Sequence, residues 1–266
     1  MREREEETYK ERSLALCLLD LVDSTRFVQQ VGPERAARWF QRHDRLTRTL
    51  LYRFGGREID RSDGFLFSFE RPIQAVNFAL YYQQTIPFEI RLMARIGIHY
   101  GSVIEVKQTE LMIMGGAKPV ELEGITKNIA ARSMSVCMPG QVIITRDMFA
   151  KVVSRSDRMT PKDTRFACVG IYKMKGVSEA QVLYAVGSDI KMLQPPQGNA
   201  KVIRIGGPKK IRSRARHRRV REWIEWGIKR SALISSGYIL AHMWPYLKYK
   251  YGSVLSQLME IYELYR

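Results

Sequence analysis

The stretch Leu14-Ala15-Leu16-Cys17-Leu18-Leu19-Asp20 decides the architecture. Its six apolar residues run without interruption, the pattern of a strand buried on both faces, and they stop abruptly at a carboxylate. The sequence therefore predicts a central strand with an acid at its end. Pro33 opens and Gly55-Gly56 closes the next segment, residues 33–54, where Trp39, Leu46 and Leu50 recur at helical spacing. Residues 57–69 read as two strands around a turn at Arg61-Ser62-Asp63-Gly64. A helix over 72–85, a strand pair over 95–106 and a helix over 125–136, broken at Pro139-Gly140, follow. Strands at 141–145, 166–173 and 181–186, with a short helix at 146–153, complete the pattern. This order predicts an α+β fold, a ferredoxin-like sheet with helices on one face.

With 266 residues, 45% of them hydrophobic, the chain suffices for one substantial core plus an appendage. Breaker-rich sequence, Gln194-Pro195-Pro196-Gln197-Gly198 and Gly206-Gly207-Pro208, marks a linker. The expected divisions are a charged arm at 1–12, a catalytic domain at 13–187, a linker at 188–208 and a basic, aromatic-rich helical tail at 209–266. Cys17, Cys137 and Cys168 form neither a CxxC nor a Cys/His ligand pattern, which predicts reduced core residues rather than a zinc site. The charged opening lacks the apolar core of a signal peptide, so the expected compartment is cytoplasmic.

Lys and Arg number 44 against 27 Asp and Glu, a formal charge of +17, which suits a phosphorylated ligand, nucleic acid or an anionic membrane. Phosphoryl transfer needs cations to neutralise phosphate charge and a frame that holds nucleophile and leaving group in line. Asp20 and Asp63, each at the edge of an apolar strand, fit a pair of hard cations, two Mn²⁺ or Mg²⁺ ions. The plainer alternative has Asp20, Asp23 and Ser24 capping a helix and Asp63 making a turn.

Five motifs in order carry a stronger signal. Asp20-Leu21-Val22-Asp23-Ser24-Thr25, Gly55-Gly56 with Ser62-Asp63-Gly64-Phe65, Asn128-Ile129-Ala130-Ala131-Arg132, Pro139-Gly140-Gln141 and Lys173-Met174-Lys175-Gly176 together resemble the motifs of class III nucleotide cyclases. The resemblance implies a ring closure of a nucleoside triphosphate to a 3′,5′-cyclic monophosphate with release of diphosphate. It places Asp20, Leu21 and Asp63 at the metals and the backbone through Asp23, Ser24 and Thr25 at the triphosphate. Asn128 would orient the ribose, Arg132 would stabilise the transition state and Lys175 would contact phosphate. It also implies an obligate head-to-tail homodimer, with the metal carboxylates from one copy and the Asn/Arg pair from the other.

The base-reading positions depart from the purine pattern. The family's lysine falls on Ile59, its acid falls on Glu121, and Ser62 and Asp23 stand where glycines are usual. An unpaired carbonyl in a buried pocket costs about 1–3 kcal/mol, so a purine read in the usual way is penalised. In this respect the chain is similar to the uridylate and cytidylate cyclases of bacterial Pycsar anti-phage systems, with Tyr52 and Tyr100 as candidates for narrowing the pocket. That implies UTP or CTP as substrate and a product read by a separate effector; the alternatives are a conventional adenylate or guanylate cyclase in signalling and a catalytically weak nucleotide-sensing dimerisation module.

Arg212, Arg214, Arg216, Arg218, Arg219 and Arg221 precede Trp223, Ile224, Trp226 and Ile228. The combination suits an anionic membrane surface, peripherally at the inner face, while the interrupted apolar stretch after it is too broken to span a bilayer. A single-strand nucleic-acid binder would carry stacking aromatics on its central strands, and residues 14–19 and 95–99 offer almost none.

Overall fold

The expected central strand is the inner part of a longer one, β1 (Tyr9–Leu21). The computed structural model describes residues 9–62, 64–153, 161 and 163–209, and all of them fall in one compact unit. After β1 come α1 (Ser24–Val31), α2 (Pro33–Arg53), β2 (Arg57–Arg61), β3 (Phe65–Phe69), α3 (Pro72–Ile90) and β4 (Ala94–Lys107). Then follow α4 (Glu110–Met114), β5 (Val120–Glu123), α5 (Ile125–Ser135), β6 (Val142–Thr145), α6 (Arg146–Val153), β7 (Arg165–Met174), β8 (Gln181–Gly187), β9 (Gly198–Asn199) and β10 (Val202–Gly206). The strands form one mixed sheet in the order β2-β3-β1-β4-β6-β8-β7-β10-β9, with β5 added on β4. The α+β expectation is met.

β1 is buried on both faces, and its side chains divide by parity, as a pleated strand requires. Ala15, Cys17, Leu19 and Leu21 join a core with Phe65, Phe67, Phe69, Phe78, Ile96 and Ile98, which α2, α3 and α6 cover. Leu14, Leu16 and Leu18 point the other way, into a smaller cluster with Ile59, Leu66, Val103, Leu122 and Ala130 of α5. The helices are thus not confined to one face: α5 lies on the opposite side from α2 and α3. Two glycines permit it. A Cβ on Gly97 would stand 2.2 Å from the Met134 nitrogen, and one on Gly101 would stand 2.6 Å from Thr126 Oγ1. α5 therefore rests directly on the β4 backbone.

Several boundaries differ from expectation. The strand pair over 95–106 is one fourteen-residue strand, β4, paired along its length with β1 from Tyr9↔Val106 to Leu21↔Ala94. Residues 9–12, read as part of the charged arm, belong to that ladder. α3 runs past residue 85 with Pro87 inside it, its last turn anchored by buried Ile86 and Ile90. Residues 198–206, read as linker, form β9 and β10, and β10 pairs with β7. Cys17 and Cys137 are buried, and burial pushes the Cys137 thiol up to about 12, but Cys168 is exposed on β7 rather than in the core. The basic tail lies outside the described residues except Lys209.

Two buried histidines make stability pH-dependent. His43 Nε2 lies 2.7 Å from the Tyr82 hydroxyl, and His99 Nδ1 lies 2.7 Å from Thr145 Oγ1. Burial lowers each to about 4, against the opposing pull of Asp44 on His43 and of Asp147 on His99. The unfolded chain takes up these protons near pH 6.5 and the folded chain only near 4, so stability is complete above 6.5 and declines as pH falls toward 4. Chemical denaturation at pH 5 should therefore give an unfolding free energy lower than at pH 7.5 by roughly 1–2 kcal/mol per histidine. His99→Gln should remove part of the slope; equal stability at both values would contradict this account.

Candidate active site

β1 and β4 are in register at Asp20↔Arg95. Parity turns both side chains to the α5 side of the sheet, and the Arg95 guanidinium donates to the Asp20 carboxylate. Arg95 Nε is buried and makes no hydrogen bond. Arg95 was missed in the sequence, where its charge was read only as part of a strand; the register that opposes it to Asp20 emerges from pairing. Beside this pair opens a cleft of about 560 Å³, lined by Asp20, Ile59, Asp60, Ser62, Gly64, Lys118 and Glu121 together with apolar residues of the small cluster.

The β2–β3 turn is pinned against Asp20. A Cβ on Gly64 would stand 2.4 Å from the Leu19 carbonyl oxygen, so the turn approaches β1 more closely than a side chain permits. On its other side Arg61 bonds Asp44 of α2 at 3.2 Å and lies 4.8 Å from the Phe65 ring centre. Asp63 lies outside the described residues, and its neighbours Ser62 and Gly64 line the cleft with Asp20. A bulge between Glu58 and Asp60 leaves Ile59 without a partner opposite it on β3. Its side chain is buried in the cleft floor.

At the end of β1 the backbone turns sharply. Asp23 takes the left-handed conformation at φ 56° as the N-cap of α1, and its side chain makes no capping bond. The capping alternative is therefore not met at Asp23. Val22 N donates to Met93 O at 2.8 Å, which ties the turn to the start of β4. Ser24 is half-buried and Thr25 exposed at the first turn of α1, while Leu21 points into the helix-covered core and does not line the cleft.

Asn128, Arg132 and Lys175 gather elsewhere. Asn128 and Arg132 are one turn apart on α5, and Arg132 Nε reaches the Lys175 carbonyl at 3.5 Å. Lys175 N donates to Lys201 O at 2.8 Å, and Asn199 Nδ2 donates to Ser135 O at 3.0 Å, so the β9–β10 hairpin braces both. None of the three lines the cleft; α5 presents Lys127 and Met134 to it instead. Glu121 is exposed on β5 at the cleft wall. Tyr52, 88% exposed on α2, and Tyr100, under Lys151 at 5.1 Å, belong to the helix-covered side and do not narrow the cleft.

The donor set suits a hard divalent cation. The Asp20 carboxylate supplies hard oxygen donors, and no cysteine or histidine lines the cleft. Among the described residues no group of three or more His, Cys, Asp or Glu forms a metal cluster. No described helix is long and apolar enough to cross a membrane.

No family model matches the sequence, and no curated protein is similar to it. Solved structures are. The adenylyl cyclase CyaB from P. aeruginosa is 15% identical, covers 67% of this chain with 95% of its own, and superposes with a TM-score of 0.58. Adenylate cyclases from Trypanosoma brucei are similar at 22% identity, over 74% and 95% of the two chains, with a TM-score of 0.55. The described domain has the fold of a nucleotide cyclase catalytic domain. The guanylate cyclase domain of RhGC from Catenaria anguillulae, solved with GTP, agrees at 18% identity and a TM-score of 0.55, over 66% of this chain and 97% of that one. The cyclase fold thus accounts for about two thirds of the chain or more.

The seat of α5 on β4 offers a direct check. Gly97→Ala places a methyl against the helix backbone and should cost about 2 kcal/mol or more. Urea denaturation should show a lower midpoint, and a midpoint equal to wild type would contradict the packing argument.

Proposed function

We propose that the protein is a metal-dependent nucleotide cyclase. The observation that carries the reading is the division of the site within the cyclase fold: Asp20 and the flanks of Asp63 line the cleft, whereas Asn128, Arg132 and Lys175 lie together outside it. A head-to-tail homodimer unites them, each copy completing the other's cleft. The 3′-oxygen attacks the α-phosphorus, the new O–P bond closes the ring, the bond to the β-phosphate breaks, and the hydroxyl proton leaves with the diphosphate or to solvent.

Asn128 holds the ribose so that the 3′-oxygen stands in line. Arg132 faces the charge that grows on the α-phosphoryl oxygens, where a fixed cation is worth most. Lys175 and the free backbone N–H groups at Ser24 and Thr25 hold the rest of the triphosphate. Mn²⁺ or Mg²⁺ held by Asp20, Asp63 and the Leu21 carbonyl would supply phosphate charge neutralisation. Arg95 keeps the Asp20 carboxylate aimed across the sheet.

The apolar Ile59 at the base-reading position favours UTP or CTP, and we propose a cyclic pyrimidine nucleotide passed to a separate effector, as in anti-phage signalling. The similar solved structures, described as adenylyl and guanylyl cyclases, favour a purine as the second reading. Incubating the purified full chain with Mn²⁺ and equimolar ATP, GTP, CTP and UTP should yield a cyclic monophosphate by mass spectrometry. Asp63→Ala and Arg132→Ala should each reduce it by at least about a hundredfold. No cyclic product from any of the four would overturn the proposal.

A further inference from the structure

The position at which the purine donor is expected holds Ile59, buried in the floor of the cleft. A different element brings a cation there. Lys118 stands at the foot of the connection between β4 and β5, which Gln108 N closes by donating to Pro119 O at 3.1 Å. Its ammonium bonds the Asp60 carboxylate, and both residues line the cleft beside Ile59 and Glu121. Their side chains are 47% and 31% exposed, so neither is buried beyond reach nor fully in solvent. Below them Leu18, Leu66, Val120 and Leu122 form an apolar floor suited to the face of a planar ring.

Resting on the nucleotide reading of this cleft, we infer that the Lys118–Asp60 pair reads the edge of the base, and that the base it suits is uracil. An ammonium carries three N–H groups and a carboxylate about four acceptor sites, so the pair keeps its own bond and still offers one donor next to one acceptor. Only a base edge with an acceptor beside a donor answers both. Uracil presents N3–H between two carbonyls, so it meets the pair whichever way round the two side chains face it. On their Watson–Crick edges cytosine, adenine and guanine each present an adjacent donor and acceptor in a single order. An ion pair on an open surface contributes little, and at the mouth of an apolar cleft its unused hydrogen-bonding capacity is available to a ligand.

The test measures equilibrium binding and kcat/KM for UTP, CTP, GTP and ATP with the full chain and with Lys118→Met, Asp60→Asn and the exchanged pair Lys118→Asp/Asp60→Lys. Wild type should favour UTP. Each single variant should lose about tenfold or more for UTP and change little for CTP. The exchanged pair should regain the preference, because uracil's edge reads the same in both orders. A wild-type preference for another base, an unchanged UTP to CTP ratio in both single variants, or an equal loss for all four nucleotides would each overturn the inference. UTP binding that follows this pattern without cyclic product would instead remove the cyclase reading and leave the base reader standing.

Discussion

The ladder between β1 and β4 governs everything else in the domain. Thirteen residue pairs, from Tyr9↔Val106 to Leu21↔Ala94, fix a register in which a shift of one residue would turn the faces of one strand over relative to the other. That register sends Ala15, Cys17 and Leu19 to the helix-covered core and Asp20 to the opposite side, where Arg95 meets it. The same parity turns Gly97 and Gly101 toward α5, and the missing side chains let the helix that carries Asn128 and Arg132 lie on the sheet. A charged group at the end of an apolar strand is thus placed by the packing of the residues before it.

Much of this was legible in the sequence because it is written in local pattern. The continuous apolar run at 14–19, the Pro33 and Gly55-Gly56 marks around α2 and the paired strands at 57–69 are each local in the sequence, and each was read nearly in place. What escaped depends on long-range pairing. Gly97 and Gly101 carry no local sign that a helix presses on them. The edge strands β9 and β10 are short and breaker-rich, so they look like linker until β7 supplies their partner. Cys168 follows the same rule: its surroundings in sequence are apolar, yet β7 turns it outward.

Part of the cleft's lining was legible in the same way. Asp20, Ile59 and Glu121 line one cleft, and the residues flanking Asp63 join them. Arg132 meets Lys175 through a backbone carbonyl that the β9–β10 hairpin helps to hold. Tyr52 failed because a bulky residue near a motif in sequence sits on the far side of the sheet. Arg95 and Lys118 were missed because a cation announces itself as functional only when its partner carboxylate is known, and both partners come from other strands.

In our account one chain holds half of each catalytic centre, and the dimer is a chemical requirement rather than a way of storing the enzyme. Mixing inactive Asp20→Ala with inactive Arg132→Ala protein tests this most directly. In a mixed dimer one site carries both lesions and the other carries none, so cyclase activity should return to about one quarter of wild type. A mixture as inactive as its components, with mixed dimers confirmed by native mass spectrometry, would contradict the shared site.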